Sequence, residues 1–272
     1  MTLDFKHAID LPDDQINLAH AALLFAHDAY PELDAATYLT QLDEWAETLR
    51  PQIDLRGDAL PFQPLTDFLF DHLNFRGNQR DYYDPHNSYL NIVMERRVGL
   101  PITLSVIYLE IGWRVGLPLS GVGLPGHFIV RCDSPRDTWF IDPYNRGDVL
   151  NESDCARLIH QATNGRLSFD RTQLSPISRK LILTRMLNNL KAIYIQNEQF
   201  KEVQLVMQRL LDLDPESAED VRDLGLVHFR LGEYRRAIST LESYFVLQRD
   251  ADDIDDIRQV ISAARGEMAR WN

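Results

Sequence analysis

The stretch from Pro101 to Val115, PITLSVIYLEIGWRV, is the most apolar helical pattern in the chain. A helix that is hydrophobic around most of its circumference must be enclosed by other elements, so this segment predicts the centre of the fold. Pro101 suits the first helical position, where a missing N–H is harmless. Leu104, Tyr108, Ile111 and Val115 share one face, and Gly116 followed by Leu117-Pro118 ends the helix. The period then changes. Leu119 to Gly123, His127 to Cys132 and Trp139 to Asp142 are short runs separated by Pro125-Gly126 and by Asp133-Ser134-Pro135-Arg136-Asp137, which predicts antiparallel strands joined by turns. The turn Pro143 to Gly147 follows, and helical segments resume after it. The implied core is α+β: a buried helix beside a small antiparallel sheet.

Upstream, three amphipathic helices are expected. Leu11-Pro12-Asp13-Asp14 suits a first turn for the face Ile16, Ala19, Leu23, Ala26 and Tyr30, which Pro31 terminates. Tyr38, Leu42, Trp45 and Leu49 define a second helix ending at Pro51, and Leu65, Phe68, Leu69 and Leu73 a third. His20 and His27 could share a face of the first, but no carboxylate-rich set accompanies them, so surface or packing roles are expected. Residues 74–87 have no period and read as a loop. Asn87 is placed to cap a helix reaching Arg97, with Gly99 as its left-handed stop.

Composition bounds the partners. Among 272 residues, 41 Asp and Glu outnumber 28 Lys and Arg, for a net charge of −13, and a chain so acidic repels nucleic-acid backbones and anionic membrane surfaces. Two cysteines, Cys132 and Cys155, are too few for a disulfide framework or a four-ligand zinc site, so a reducing, cytoplasmic compartment is expected. The start MTLDFKHAIDLPDDQ lacks a secretory pattern, and no later segment has the ~18 uninterrupted apolar residues of a membrane span.

The last third repeats itself. A 34-residue offset superposes Leu190 on Leu224, Tyr194 on His228, Phe200 on Tyr234 and Val203 on Ala237, and that spacing is the tetratricopeptide period. Leu224-Gly225, Gly232, Tyr234 and Ala237 resemble the tetratricopeptide consensus, whereas the first copy has Lys191 where a small residue is usual. Two copies fall short of the roughly three that stand alone, so the repeats are expected to lean on the preceding domain, with a cap near Asp253 to Met268. The split expected is 1–175 and 176–272. Asp250 to Asp256 is rich in acids but lacks the glycine and closing glutamate of a calcium loop; an acidic helix start explains it.

The order buried helix, His127, Asp142 resembles the core of the transglutaminase-like (papain-like) superfamily, where a cysteine opens the helix, a histidine lies on the next strand and an aspartate on the one after. The resemblance implies a thiol activated at a helix N-terminus, an imidazole that takes its proton and a carboxylate that orients the imidazole. It sets the cysteine about 15 residues before the glycine of the helix-ending Gly-Leu-Pro, and here that position holds Pro101. Proline has neither a nucleophile nor a backbone N–H for an oxyanion hole. Leu100 and Ile102 are equally inert, while Thr103 and Ser105, the nearest hydroxyls, lie further along the helix. Cys132, an odd number of residues from His127, is expected on the opposite strand face, and nothing in the sequence brings Cys155 near the histidine, although a helix start could lower its pKa.

The wording RRVGLPITLS, GVGLPGHFIVR and IDPYNRG, in order between Tyr82 and Leu150, is similar to the SirB-type family, bacterial proteins with a transglutaminase-like domain and C-terminal tetratricopeptide repeats, named for a genetic link to invasion-gene regulation. With Pro101 at the nucleophile position, a pseudoenzyme is expected, with no metal or cofactor implied, binding a protein or peptide partner through its repeats. Two readings of the pair stand open. In one, His127 and Asp142 line a cleft with Asn87, Asn91, Arg96, Arg97 and Arg131 that binds a peptide, amide or carboxylate group. In the other, Asp142 and the arginines are scaffold that ties down the loop from Asp81 to Asp84. A hydrolase or acyltransferase acting on amide bonds, with water or a displaced hydroxyl as nucleophile, is the enzymatic alternative. The oligomeric state stays open.

Overall fold

A computed structural model describes residues 4–54, 60–134 and 137–270; Pro135 and Arg136 of the expected turn lie outside them. The chain divides into two compact units, 1–186 and 187–272.

In the first unit the helices α1 (Phe5–Ile9), α2 (Leu18–Ala26), α3 (Ala35–Leu49) and α4 (Gln63–Asp67) precede a two-residue strand β1 (Arg76–Gly77), α5 (Leu90–Arg96) and a second short strand β2 (Val98–Gly99). The central helix α6 (Pro101–Arg114) follows, with Pro101 at its first turn and every residue from Pro101 to Gly112 buried. Helices α2, α3 and α5 pack on it. Strands β3 (Leu119–Val122), β4 (Ile129–Asp133), β5 (Thr138–Asp142) and β6 (Asp148–Leu150) form one antiparallel sheet in chain order, and β3 and β4 also contact α6. Glu110, the one acid inside α6, is only 4% exposed. It accepts the Ala19 backbone N–H at 2.8 Å and pairs with Arg114, so a buried charge serves to hold the start of α2. Helix α7 (Glu152–Ala162) begins at Asn151, whose side chain accepts the N–H groups of Ser153 and Asp154.

Several local expectations are corrected. Helix α2 starts at the Asn17 cap, not at Asp13; the Asp13 carboxylate instead accepts the backbone N–H groups of Arg179 and Lys180 at 2.9 and 3.0 Å. A cap offered to a helix distant in sequence has no local signature. Asn87 does not cap α5, whose preceding residue is Tyr89. The left-handed stop is Arg97, at φ 60°, while Gly99 lies in β2, where an added Cβ would stand 2.8 Å from Val93 and 2.9 Å from the Thr103 hydroxyl. β1 pairs in parallel with β2 inside the segment expected to be loop, and β6 extends the sheet by one strand beyond the three predicted. Both are too short for a periodic signal.

Helix α8 (Arg179–Gln196) runs through the boundary between the units. The second unit continues with α9 (Phe200–Leu213), α10 (Ala218–Arg230), α11 (Tyr234–Leu247) and α12 (Ile254–Arg270). The 34-residue offset carries α9 onto α11 at both ends and the left-handed Glu198 (φ 56°) onto Gly232 (φ 74°). Gly225 is small because Leu241 packs over it, its Cδ2 lying 2.5 Å from where a Cβ would be. In the first copy Lys191 pairs with Asp220 at 2.9 Å instead. Asp253 accepts the Tyr244 hydroxyl at 2.6 Å and Arg222 at 3.1 Å, and among the described residues no group of acids, histidines and cysteines is arranged to hold a metal.

Candidate functional site

His127 is not part of a strand, as expected from the sequence, but stands two residues ahead of β4, at the end of the turn Leu124 to His127. Gly126 makes that turn possible: its φ is +73°, and a Cβ would meet that of Ala162 at 2.5 Å. Arg185 holds the segment from the other side, donating to the carbonyls of Gly123, Leu124 and His127 at 3.3, 2.7 and 3.0 Å. Burial lowers the pKa of this guanidinium, and its three carbonyl partners replace the water it has lost. Nothing in the local sequence singles out Arg185, which is 58 residues from His127.

Asp142 closes β5. Its carboxylate accepts His127 Nε2 at 2.8 Å, the Asn145 side-chain amide at 2.9 Å and the Tyr144 and Asn145 backbone N–H groups at 3.0 and 3.4 Å. The proline at 143 sets the turn, and Arg146 and Gly147 complete it with φ of 59° and 80°. The side chains of His127 and Asp142 are 10% and 1% exposed. A carboxylate that only accepts places a proton on Nε2, and in the neutral imidazole the lone pair is then on Nδ1. Nδ1 itself has no hydrogen bond among the described residues. Tyr144 stands edge-on to the imidazole, centroids 6.0 Å apart, and its hydroxyl donates to the Asn78 carbonyl at 2.9 Å. Tyr144 and Asn145 belong to the dyad's surroundings; the spacing IDPYN carried the signal for Asn145, because an Asp-Pro-x-Asn turn folds back on its own carboxylate.

Among the described residues no hydroxyl or thiol is hydrogen-bonded to the imidazole. Pro101 is buried at the first position of α6. The Thr103 hydroxyl donates to the Asn87 and Leu100 carbonyls at 2.8 and 3.1 Å and accepts the Leu100 N–H at 2.9 Å, so it is committed to the start of α6. The Ser105 hydroxyl is buried without any partner, and thus makes no bond to His127. Cys132 and Cys155 are both fully buried, and burial pushes each thiol up to about 11. For Cys155 this reverses the lowering conceivable at a helix start: desolvation, with the charges of Asp154, Asp142 and Glu152 adding to it, outweighs the helix N-terminus.

The other candidate residues separate. Asn87 is fully buried and braces the loop, accepting Asn78 Nδ2 at 3.0 Å and donating to the Asp81 and Tyr82 carbonyls at 2.7 and 3.3 Å. Asn91 is buried with an unpartnered Oδ1. Arg97 is enclosed between the rings of Trp45 and Phe75, 4.5 and 4.8 Å from their centroids, and burial lowers its pKa. Arg131 is bound by Asp133 through Nε and Nη2. None of these four bonds to the dyad. Arg96 pairs with Asp84 at 2.9 Å and does line an open cleft of about 980 Å³ whose wall includes Tyr144 and Asn145.

Residues 36–188 match the transglutaminase-like superfamily and residues 190–262 the tetratricopeptide repeat. The chain therefore belongs to the transglutaminase-like superfamily and carries tetratricopeptide repeats after that domain. Among its relatives, a UPF0162 protein of Xylella fastidiosa strain Temecula1 is 36% identical over 250 residues, covering 90% of this chain and 89% of the relative. F-box only protein 21 of Homo sapiens is 30% identical over 192 residues, covering 66% of this chain and 29% of that much longer protein. Among the described residues no helix is long and apolar enough to cross a membrane.

Proposed function

We propose that the protein is a non-catalytic interaction module of SirB type. The transglutaminase-like unit offers the cleft beside His127 and Asp142 to a peptide or carboxylate group without cleaving or transferring it. The repeat unit docks a protein or peptide partner, as tetratricopeptide arrays generally do. A cytoplasmic regulator is the role that fits such a pairing.

One observation carries the reading: the imidazole is oriented by Asp142 at 2.8 Å, yet no hydroxyl or thiol among the described residues is hydrogen-bonded to it. Acyl transfer needs a nucleophile in hydrogen-bond reach of its base. A base with a free lone pair and no nucleophile still accepts a hydrogen bond from a ligand N–H or O–H. The test has two arms. Incubation with a glutamine-containing peptide and a fluorescent amine should give neither transamidation nor hydrolysis above a protein-free control; product that disappears in His127→Ala overturns the reading. Capture of partners with the intact chain should lose part of its set on His127→Ala, and identical sets and affinities would argue against a working cleft.

A further inference from the structure

The chain carries a net charge of −13, but the cleft walled by Tyr144 and Asn145, which neither His127 nor Asp142 lines, has the opposite sign. Arg76, Arg80, Arg96 and Arg146 line it, against a single lining acid, Asp148. Most arginines of the protein are tied to carboxylates. Arg76 and Arg80 are exposed and neither guanidinium has an ion-pair or hydrogen-bond partner among the described residues. Arg96 and Arg146 are each anchored by one bond, to Asp84 at 2.9 Å and to Asp71 at 2.5 Å. A guanidinium has five N–H donors, so anchoring by one bond orients the fork and leaves donors for a ligand.

The local geometry keeps the four together. Arg76 stands on β1, whose pairing with β2 brings it beside Val98, two residues after Arg96. The Asn78 side chain accepts the backbone N–H groups of Arg80 and Asp81 at 3.2 and 3.0 Å, turning the chain back toward β1. Arg146 follows the Asp142 turn, and Tyr144 ties that turn to the Asn78 carbonyl at 2.9 Å. Gly77 permits this closure, since a Cβ there would lie 2.5 Å from the Tyr144 ring. Beside the arginines the cleft is lined by the exposed Gln79, whose amide has both a donor and an acceptor for a peptide backbone.

We propose that this cleft binds a carboxylate-rich peptide segment, its acidic side chains held by Arg76 and Arg80 with Arg96 and Arg146 flanking them. Paired planar forks suit neighbouring carboxylates, and about 980 Å³ of open space accommodates several residues. The net negative charge of the chain as a whole disfavours such a segment away from these arginines. The inference deepens the interaction reading above by naming the ligand's charge.

The experiment is fluorescence anisotropy of a labelled hexaglutamate peptide with the full chain, wild type against Arg76→Ala/Arg80→Ala. Both arginines are exposed and unpaired, so their loss leaves the fold intact; Arg235→Ala/Arg249→Ala, two exposed arginines of the second unit, is the charge-matched control. Binding is expected in the wild type, weakened about tenfold or more in the double variant and within about twofold in the control, and it should fall as ionic strength rises. No binding by the wild type, or equal binding by the double variant, overturns the proposal. So does binding of tripolyphosphate without binding of hexaglutamate, which would assign the cleft to phosphate. His127→Ala separates the two readings: hexaglutamate binding that survives this variant and is lost in the arginine variant supports the arginine cleft even if partner capture proves indifferent to His127.

Discussion

Replacing Asp142 by alanine removes the acceptor on which the whole site converges. Three well-formed bonds end on this carboxylate, from His127 Nε2 at 2.8 Å, the Asn145 side chain at 2.9 Å and the Tyr144 N–H at 3.0 Å, with a fourth, longer one from the Asn145 N–H at 3.4 Å. A donor left unpaired in a buried place costs about 1 to 3 kcal/mol. Tyr144 and Asn145 are half-buried and can turn partly to water, so the lower end applies to them. Summed over the three well-formed bonds, Asp142→Ala should lose roughly 3 to 5 kcal/mol. Asp142→Asn is the informative companion. Its oxygen can still serve the backbone N–H groups, but its amide replaces the oxygen that accepted both His127 and the Asn145 side chain, so the expected loss is about 1 to 2 kcal/mol. Urea unfolding followed by tryptophan fluorescence measures both, and nitrogen NMR of the His127 ring should report the Nε2–H tautomer in the wild type and its loss in the asparagine variant. A loss under about 1 kcal/mol for alanine, or equal losses for the two variants, refutes the claim that this carboxylate organises the site.

Three further outcomes follow from the structure. With both thiols pushed up to about 11, about one in a thousand is ionised at pH 8, so a thiol reagent should label neither cysteine in the native protein and both in denaturant; rapid native labelling of Cys155 would contradict its burial. Glu198→Gly should stabilise by roughly 0.5 to 1 kcal/mol, because the left-handed φ of 56° strains a residue with a Cβ, whereas Gly232→Ala, at φ 74°, should destabilise by about 1 kcal/mol; thermal unfolding reads the two opposite signs. The Tyr244 hydroxyl, opposed by burial and assisted by Arg222, holds Asp253 below its ordinary 3.8. A depressed folded pKa supplies stability that is present above the unfolded value and lost as pH falls through the folded one. The gap in thermal midpoint between wild type and Asp253→Asn should therefore be constant near neutrality and close below about pH 4; a gap unchanged down to pH 3 would count against the bond.

Legibility in the sequence followed range. The central helix, the strand-rich segment after Gly116 and the 34-residue repeat all rest on periodic apolar patterns, and the structure places α6, β3 to β5, α9 and α11 accordingly. The pairing of His127 with Asp142, 15 residues apart, is the one the resemblance to the transglutaminase-like core implies, and the antiparallel pair β4–β5 achieves it by returning the chain to its starting end. Asn87 looked like a cap and is instead a loop brace; Asn and Asp side chains serve either purpose, and only the neighbours decide. Arg185, Asp13 and the β1–β2 pair escaped because each acts across a long sequence separation on backbone groups that have no side-chain code.

The amino-acid order by itself determined the class of fold, the repeat and the absence of a nucleophile at Pro101, since each depends on periodicity or on the chemistry of one residue. Tertiary structure alone decided that the Thr103 hydroxyl accepts the Leu100 N–H at the start of α6, that the Ser105 hydroxyl is buried without a partner, and that four arginines from three separate segments of a strongly acidic chain face one cleft. Net charge is a sum that ignores position. The electrostatic character of a site depends on which charges the fold brings within a few ångströms of one another.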